Sequence, residues 1–415
     1  LSTPQLVEHF FRHEYGRLVA TLTRRVGVQN IEAVEDAVQS ALMTALGAWT
    51  ASGLPENPSA WVFRVAYNSI VDELRTQAGR RRILEESTAT QATEPSRTPE
   101  VFLEREIGDD LLRMLFVCCD ESIPENSQLV IALKTLCGFS TREIALRLFT
   151  SEANIYKRLG RARDQLRTNP PGELSEEQYR YRLPAVHKIV YLLFTEGYLS
   201  SHAELAIRQE LCGEALRIGT ILTEHAAGQT PETYALVALM HLHSARMRAR
   251  QDGTGGLLLL EEQDRTLWDQ GEIAEGLSWL AKSASGDGFS RYHAEAGIAA
   301  EHCLATSFAE TRWERVVECY ALLERIAPSA LHRLNRAVAV AEWQGPQAAL
   351  VVLEGAEPPT WLAGSYLWAA VLADLHRRCC NDELAERYRK QALESAPSVA
   401  IADVLRRRLG PATGA

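Results

Sequence analysis

The sequence predicts an all-α protein. Leu, Ala, Glu and Arg dominate its 415 residues, strand-like alternation is nearly absent, and apolar residues recur at helical spacing in segment after segment. A chain of this length exceeds one ordinary core, so several domains in series are expected. The pattern divides into a helical domain over residues 1–82, a flexible linker over 83–105, a second helical domain over 106–170 and a helical repeat domain over 171–415. A hydrophobic content of 46% supports folded domains, and the net charge of −10 argues against a body coated in nucleic acid. Local basic surfaces on an acidic body remain open, so charge is read by segment.

The first clear element runs from Ile31 to Trp49. Val34, Val38, Ala41, Ala45 and Trp49 face inward, while Glu32, Glu35, Asp36, Gln39 and Met43 lie on or beside the outer face. Acidic groups there suit a basic protein partner better than DNA. Asn57-Pro58 then starts a helix, with Asn as cap and Pro at the first helical position. Trp61, Val62, Val65, Ile70 and Leu74 cover one side of it. Arg64, Asn68, Asp72 and Arg75 line the other, and Gln77 and Arg80-Arg81-Arg82 extend the strip. Such a polar and basic strip suits a DNA backbone and exposed bases. The turn-rich loop over 51–58 could hold an unstacked base.

Ser87 to Pro99 lacks periodicity, and eight acidic residues against two basic ones between Ile83 and Asp110 keep this linker solvated. Ser140-Thr-Arg-Glu143 is a capping box. Ile144, Ala145 and Leu148 give the helix it opens an apolar face, a turn follows at Phe149 and Thr150, and Ser151 caps a second helix. In that helix Ile155, Leu159, Ala162 and Leu166 face the core, leaving Asn154, Lys157, Arg158, Arg161 and Asp164 opposite. From Ser140 to Arg167 there are seven basic and three acidic residues, against the trend of the chain. A helix-turn-helix with Lys and Arg early in its second helix fits the major groove. The plain alternative is a solvated amphipathic pair; the strip upstream weighs against it.

Pro170-Pro171-Gly172 breaks the chain, and helices with short loops follow. Glu324-Arg-Ile-Ala-Pro-Ser329 resembles Leu393-Glu-Ser-Ala-Pro-Ser398, with Pro328 and Pro397 separated by close to two periods of about 34 residues. That spacing suggests tetratricopeptide-type helix pairs. The carboxylates Glu261, Glu262 and Asp264 read as helix-surface or inter-helix salt-bridge groups. His241 and His243 fall on different helix faces, as packing or surface residues. Trp268, Trp279, Trp313, Trp361 and Trp368 are expected in the core. The eight cysteines show no metal-site spacing and read as reduced, buried thiols, with a redox switch at Cys118 and Cys119 as the lesser alternative. No signal peptide or membrane span is evident, which points to the cytoplasm. No nucleophile, metal or phosphate-loop pattern stands out, so neither an enzyme nor a cofactor is expected.

Together these motifs resemble a known family. Glu35-Asp-Ala-Val-Gln39, Trp61-Val-Phe-Arg-Val-Ala-Tyr-Asn68 and Asp72-Glu-Leu-Arg75 resemble region two of extracytoplasmic-function sigma factors. Ser140-Thr-Arg-Glu-Ile-Ala and Arg158-Leu-Gly-Arg-Ala-Arg163 resemble their region four. Phe149 stands in the turn where members often carry Gly. Leu193-Phe-Thr-Glu-Gly-Tyr198, Leu258 to Trp268 and Leu334-Asn-Arg-Ala-Val-Ala-Val340 look like the subgroup with a tetratricopeptide-like extension.

The resemblance implies a bacterial transcription initiation factor. Glu35, Asp36 and Gln39 would meet the clamp helices of the RNA polymerase largest subunit, and the second domain would rest on the flap of the other large subunit. Asn57, Ser59, Trp61, Arg64, Asn68, Asp72 and Arg75 would engage the minus-ten element of promoter DNA. Ser151, Asn154, Lys157, Arg158 and Arg161 would read the minus-thirty-five element. The C-terminal domain would regulate activity in cis or through a protein partner. The alternative is a one-component helix-turn-helix regulator whose tail senses a ligand or protein; a helical scaffold ranks below it.

Overall fold

The computed structural model describes residues 3–84, 104–148, 150–199, 207–253, 256–286 and 288–410, with side chains described over 14–76 and from 110 onward. The expected linker over 83–105 lies almost wholly outside these residues, as does Phe149; the side chains of Gln77 and Arg80 to Arg82 are likewise outside. The described residues are helical throughout, apart from loops and one isolated antiparallel bridge between Gln251 and Leu257. None of the described helices is long and apolar enough to cross a membrane. The chain divides into two compact units, residues 1–193 and 194–415.

The first unit begins with α1 (Thr3–Val26), α2 (Ile31–Ser52) and α3 (Pro58–Leu84). They close around Leu22, Val38, Ala45, Val62 and Ile70, all but fully buried. Gly53 ends α2 in the left-handed region (φ 79°), and the Asn57 side chain accepts the Ala60 N–H at 3.0 Å to start α3. Then come α4 (Glu104–Cys118), α5 (Glu125–Thr135), α6 (Thr141–Arg147) and α7 (Glu152–Thr168). The capping box of α6 is closed in both directions: Ser140 N donates to Glu143 Oε2 at 2.7 Å, and Glu143 N donates to Ser140 Oγ at 3.1 Å. Ser151 Oγ accepts the Asn154 N–H to cap α7. Ile144, Ala145, Ile155, Leu159, Ala162 and Leu166 are buried, as the helical spacing requires.

The first unit extends past the Pro-Pro-Gly break into α8 (Glu176–Tyr198). Arg182, 1% exposed, forks onto Asp120 (2.7 Å) and Glu121 (2.6 Å) and donates to the Phe116 carbonyl at 3.1 Å. Tyr179 meets Phe116 edge-on with centroids 4.7 Å apart. These contacts hold the start of α8 against α4, so the compact division falls after Leu193 rather than at residue 170.

The second unit contains α9 (Gln209–Glu224), α10 (Pro231–Ser244), α11 (Gln270–Ser283), α12 (Arg291–Leu304), α13 (Trp313–Ile326), α14 (Ala330–Gln344), α15 (Pro346–Leu353), α16 (Thr360–Ala363), α17 (Tyr366–Arg378), α18 (Asp382–Glu394) and α19 (Val399–Leu409). Consecutive helices pack on one another, as in α13 with α14 and α17 with α18. The repeated Pro-Ser pair does the same work twice: Ser329 caps α14 and Ser398 caps α19 through their hydroxyls. α10 is buried from Thr233 to Met240 without a break, so it is a central helix with no solvent face there.

Two expectations change in this unit. The stretch from Leu258 to Trp268 is two short 3-10 turns, not an α-helix. Its carboxylates still serve as inter-element salt bridges, Glu262 to Arg407 at 3.3 Å and Glu261 to Arg408 at 3.6 Å, while Asp264 caps the second turn. Trp361 is 51% exposed on the four-residue α16, which is too short to carry it into the core. Trp268 and Trp368 are buried and Trp279 and Trp313 partly so.

The cysteines form no disulfide; Cys118, Cys119, Cys137 and Cys212 are buried, and the other four are partly or fully accessible. Burial pushes the Cys119 thiol up to about 12 and raises Cys118 as well, which disfavours the thiolate a redox switch there would need.

Candidate nucleic-acid interface

On α3 the polar strip is real and solvent-facing. Arg64, Asn68, Asp72 and Arg75 are exposed, and their only internal ion pair is a long one, Arg75 to Asp72 at 3.8 Å. Asn57 is exposed at the head of the helix, and Ser59 is half-buried beside it. Trp61 is also half-buried, turned edge-on to Trp49 with ring centroids 5.7 Å apart. It therefore anchors the head of α3 to the core and offers only part of its surface to a base.

On α7 the recognition face is equally open. Ser151, Asn154, Lys157 and Arg161 are exposed and Arg158 is half-buried. Asn154 Nδ2 donates to Thr150 Oγ1 at 3.0 Å, which fixes its carboxamide at the head of the helix. Tyr156 is 61% exposed, and its hydroxyl lies 3.3 Å from Thr141 Oγ1, tying α7 to α6. Around the turn Leu148 keeps an ordinary negative φ of −95°. Lys157, Arg158 and Arg161 form a guanidinium and ammonium row with no carboxylate paired to it among the described residues.

The acidic face of α2 departs from expectation. Asp36 and Gln39 are exposed, but Glu35 is buried at 4% exposure. Thr135 Oγ1 donates to Glu35 Oε1 at 2.5 Å from the end of α5, and the Arg163 guanidinium of α7 grips Glu35 while donating to Glu32 at 2.9 Å. Helical periodicity within α2 places Glu35 beside the outer face; the second set of helices then covers it. Glu35 is thus an internal ion-pair partner in this arrangement and not an open contact for another protein.

Arg163, Glu32 and Thr135 are the residues that sequence reasoning missed. Arg163 follows Ala162 of the core stripe, and it lies about 200° around α7 from Arg161, so a helical wheel separates it from the DNA-facing row. Its partner is more than a hundred residues away, and no local pattern names it. Around this contact the two helical sets approach closely. A Cβ added to Gly16 of α1 would stand 2.1 Å from the Leu136 carbonyl oxygen. Asp110 of α4 receives Arg24 of α1 at 2.5 Å. A cleft of about 860 Å³ opens beside the Arg163 contact, with Asp36, Glu73, Asp164 and Arg167 on its walls.

Comparison with known proteins agrees with this geometry. Residues 11–80 match sigma-70 region 2, and residues 113–166 match sigma-70 region 4. Residues 182–284 match a family of unknown function, DUF6596. The chain is 35% identical over 329 residues to an uncharacterized protein of Rhizobium meliloti (strain 1021), an alignment covering 79% of this chain and 78% of that protein. No solved structure matches the chain. The two sigma regions, in this order and with a helical segment after them, show that the chain belongs to the sigma-70 family of RNA polymerase sigma factors, as a member of the extracytoplasmic-function type with a helical C-terminal extension.

Proposed function

We propose that the two exposed polar rows divide promoter recognition between them. Asn57, Ser59, Arg64, Asn68, Asp72 and Arg75 take the minus-ten element, with Trp61 as a half-buried support. Ser151, Asn154, Lys157, Arg158 and Arg161 take the minus-thirty-five element. Asp36 and Gln39 meet the clamp helices of the polymerase largest subunit, and the second helical set rests on the flap of the other large subunit. The observation that carries this reading is the simultaneous exposure of the α3 strip and the α7 row, each without a covering carboxylate partner from another helix among the described residues.

The arrangement described here is a closed state of the two sigma regions. Arg163 occupies Glu32 and Glu35 beside Asp36, so polymerase binding competes with an internal ion pair. The C-terminal extension regulates the balance in cis or through a protein partner, as a helical-repeat domain fused to a DNA-binding module can.

Co-elution with core RNA polymerase tests the surface assignment. Wild type associates, and Asp36→Arg loses association at least tenfold while keeping its helical content. Unchanged association of Asp36→Arg and Gln39→Ala would sink it. For the extension, the informative truncation ends after Leu193, because cutting at 170 strips Arg182 from Asp120 and Glu121. Transcription by residues 1–193 indistinguishable from that of the full chain under all conditions would remove the regulatory role.

A further inference from the structure

The second unit buries positive charge that no carboxylate among its described residues balances. Arg246 and Arg250 are 8% and 9% exposed, and Arg265 is half-buried. The Arg246 and Arg265 guanidiniums both lie over the Trp268 ring, at 5.2 and 4.5 Å from its centroid. Arg250 lies on the Tyr198 ring at 3.6 Å. Their hydrogen bonds go to neutral acceptors. Arg246 donates to Gln263 Oε1 at 3.3 Å. Arg250 donates to the Tyr198 carbonyl, and Arg265 to the carbonyls of His302 and Ala305.

No described carboxylate pairs with any of the three. Glu261 and Glu262 are engaged by Arg408 and Arg407, Asp264 caps its own turn, and Glu196 faces Arg208 at 4.0 Å. Burial disfavours the charged forms of Arg250, Arg265 and His302, and the neighbouring charge of Arg246 adds to it.

Several buried nitrogens of this cluster have no hydrogen-bond partner among the described residues. Trp268 Nε1, 3% exposed as a residue, is buried without an acceptor, and so is Arg265 Nη2. His302 Nδ1 and His243 Nδ1 are buried and unpartnered as well. Burial first, and the neighbouring arginines second, hold both imidazoles neutral; His302 is pushed down to about 3. Buried polar groups in folded proteins are nearly always satisfied, and a guanidinium set without counter-charge is costly.

We propose that this cluster is a binding site for a small phosphate-bearing anion, held by Arg246, Arg250 and Arg265 with the Trp268 indole N–H and a neutral imidazole as further donors. Guanidinium forks match the geometry and charge of phosphate oxygens, and the indole N–H donates without adding charge. The site lies within the second unit, and Arg246, Arg250, Arg265 and Trp268 fall inside the segment that matches the family of unknown function. The site is independent of the sigma surfaces, and its test needs no polymerase.

Calorimetric titration of the full chain with inorganic phosphate, pyrophosphate and adenosine monophosphate, against chloride at matched ionic strength, tests the site. One saturable site per chain for at least one probe is expected. Comparable affinity for inorganic phosphate and adenosine monophosphate identifies a free anion as the ligand; at least tenfold tighter binding of adenosine monophosphate identifies an organic phosphate. Arg246→Met is expected to weaken the best probe at least tenfold. Trp268→Phe, which keeps an aromatic face and loses the indole N–H with the five-membered ring that carries it, is expected to weaken it several-fold and serves if the arginine variant fails to fold. The exposed Arg315→Met leaves binding unchanged. Absence of saturable binding by all three probes, or equal binding by wild type and Trp268→Phe together with Arg246→Met, would overturn the proposal.

Discussion

Two buried arginine sites in this protein follow opposite rules. In the first unit the guanidiniums meet carboxylates: buried Arg182 has Asp120 and Glu121, and half-buried Arg163 has Glu35 and Glu32. In the second, Arg246, Arg250 and Arg265 meet only carbonyls, an amide and aromatic rings. A satisfied pair can hold a fold or lock two regions together without outside help, and something must compete with it to open it. An unsatisfied cluster contributes little to the empty protein and gains from an incoming counter-charge. On the proposed reading, the first unit holds a contact to be broken and the second a contact to be made.

Acid should widen the difference most. His302 in the second unit, and His187 in the first, are each held at about 3 by burial, and His243 is also held well below its ordinary value. The unfolded chain binds protons at these positions from about pH 6.5 downward, so their contribution is intact above that value. It is lost progressively towards pH 3, at roughly 1.4 kcal/mol per pH unit for each imidazole. Because two of the three lie among uncompensated arginines, the second unit is expected to unfold first, as read by segment-resolved hydrogen exchange down to pH 4.

Arg182→Met is the next largest effect, a loss of about 3 kcal/mol in urea unfolding of the first unit. Asp120 is left without its cation, while Glu121, more than a third exposed, is repaid by water. A loss below about 1 kcal/mol would mean that α8 does not brace α4.

Arg163→Met is expected to cost about 1–2 kcal/mol, because Glu35 keeps its bond from Thr135. Its larger consequence is functional: core polymerase should be bound at lower protein concentration. Gly16→Ala should act in the same direction, since its methyl meets the Leu136 carbonyl. Reduced polymerase binding by both would show that the closed contact aids association.

The smallest expected change is the most telling for the comparison. Arg246→Met in phosphate-free buffer should leave stability within about 0.5 kcal/mol of wild type, because removing an unpaired buried charge offsets the lost packing over Trp268. A loss comparable to that of Arg182→Met would place Arg246 among the satisfied arginines.

Much of the candidate site was legible in the chain. The stripes Val62 to Leu74 and Ile155 to Leu166 follow a 3.6-residue period, so the complementary faces bearing Arg64, Asn68, Lys157 and Arg161 could be assigned to solvent in advance. The capping box at Ser140 and the caps at Asn57 and Ser151 are local hydrogen-bond patterns and were readable as such. Glu35 was misplaced because its own helix leaves it polar and near the surface, and its burial comes from α5 and α7. The Leu258 to Trp268 turns were read as a helix from their carboxylates and leucines. Neither sequence nor periodicity announces that Arg246 and Arg265 converge on one indole.

The sequence by itself determined the helices, their caps, the two exposed polar rows and the order of the sigma regions, because each depends on interactions within a few residues along the chain. Only the tertiary structure decided that Arg163 closes on Glu35, that Arg182 carries the first unit past residue 170, and that three guanidiniums gather without a counter-charge. Those outcomes depend on which distant side chains share a low-dielectric space, where a charge is costly unless another chain segment or a ligand answers it.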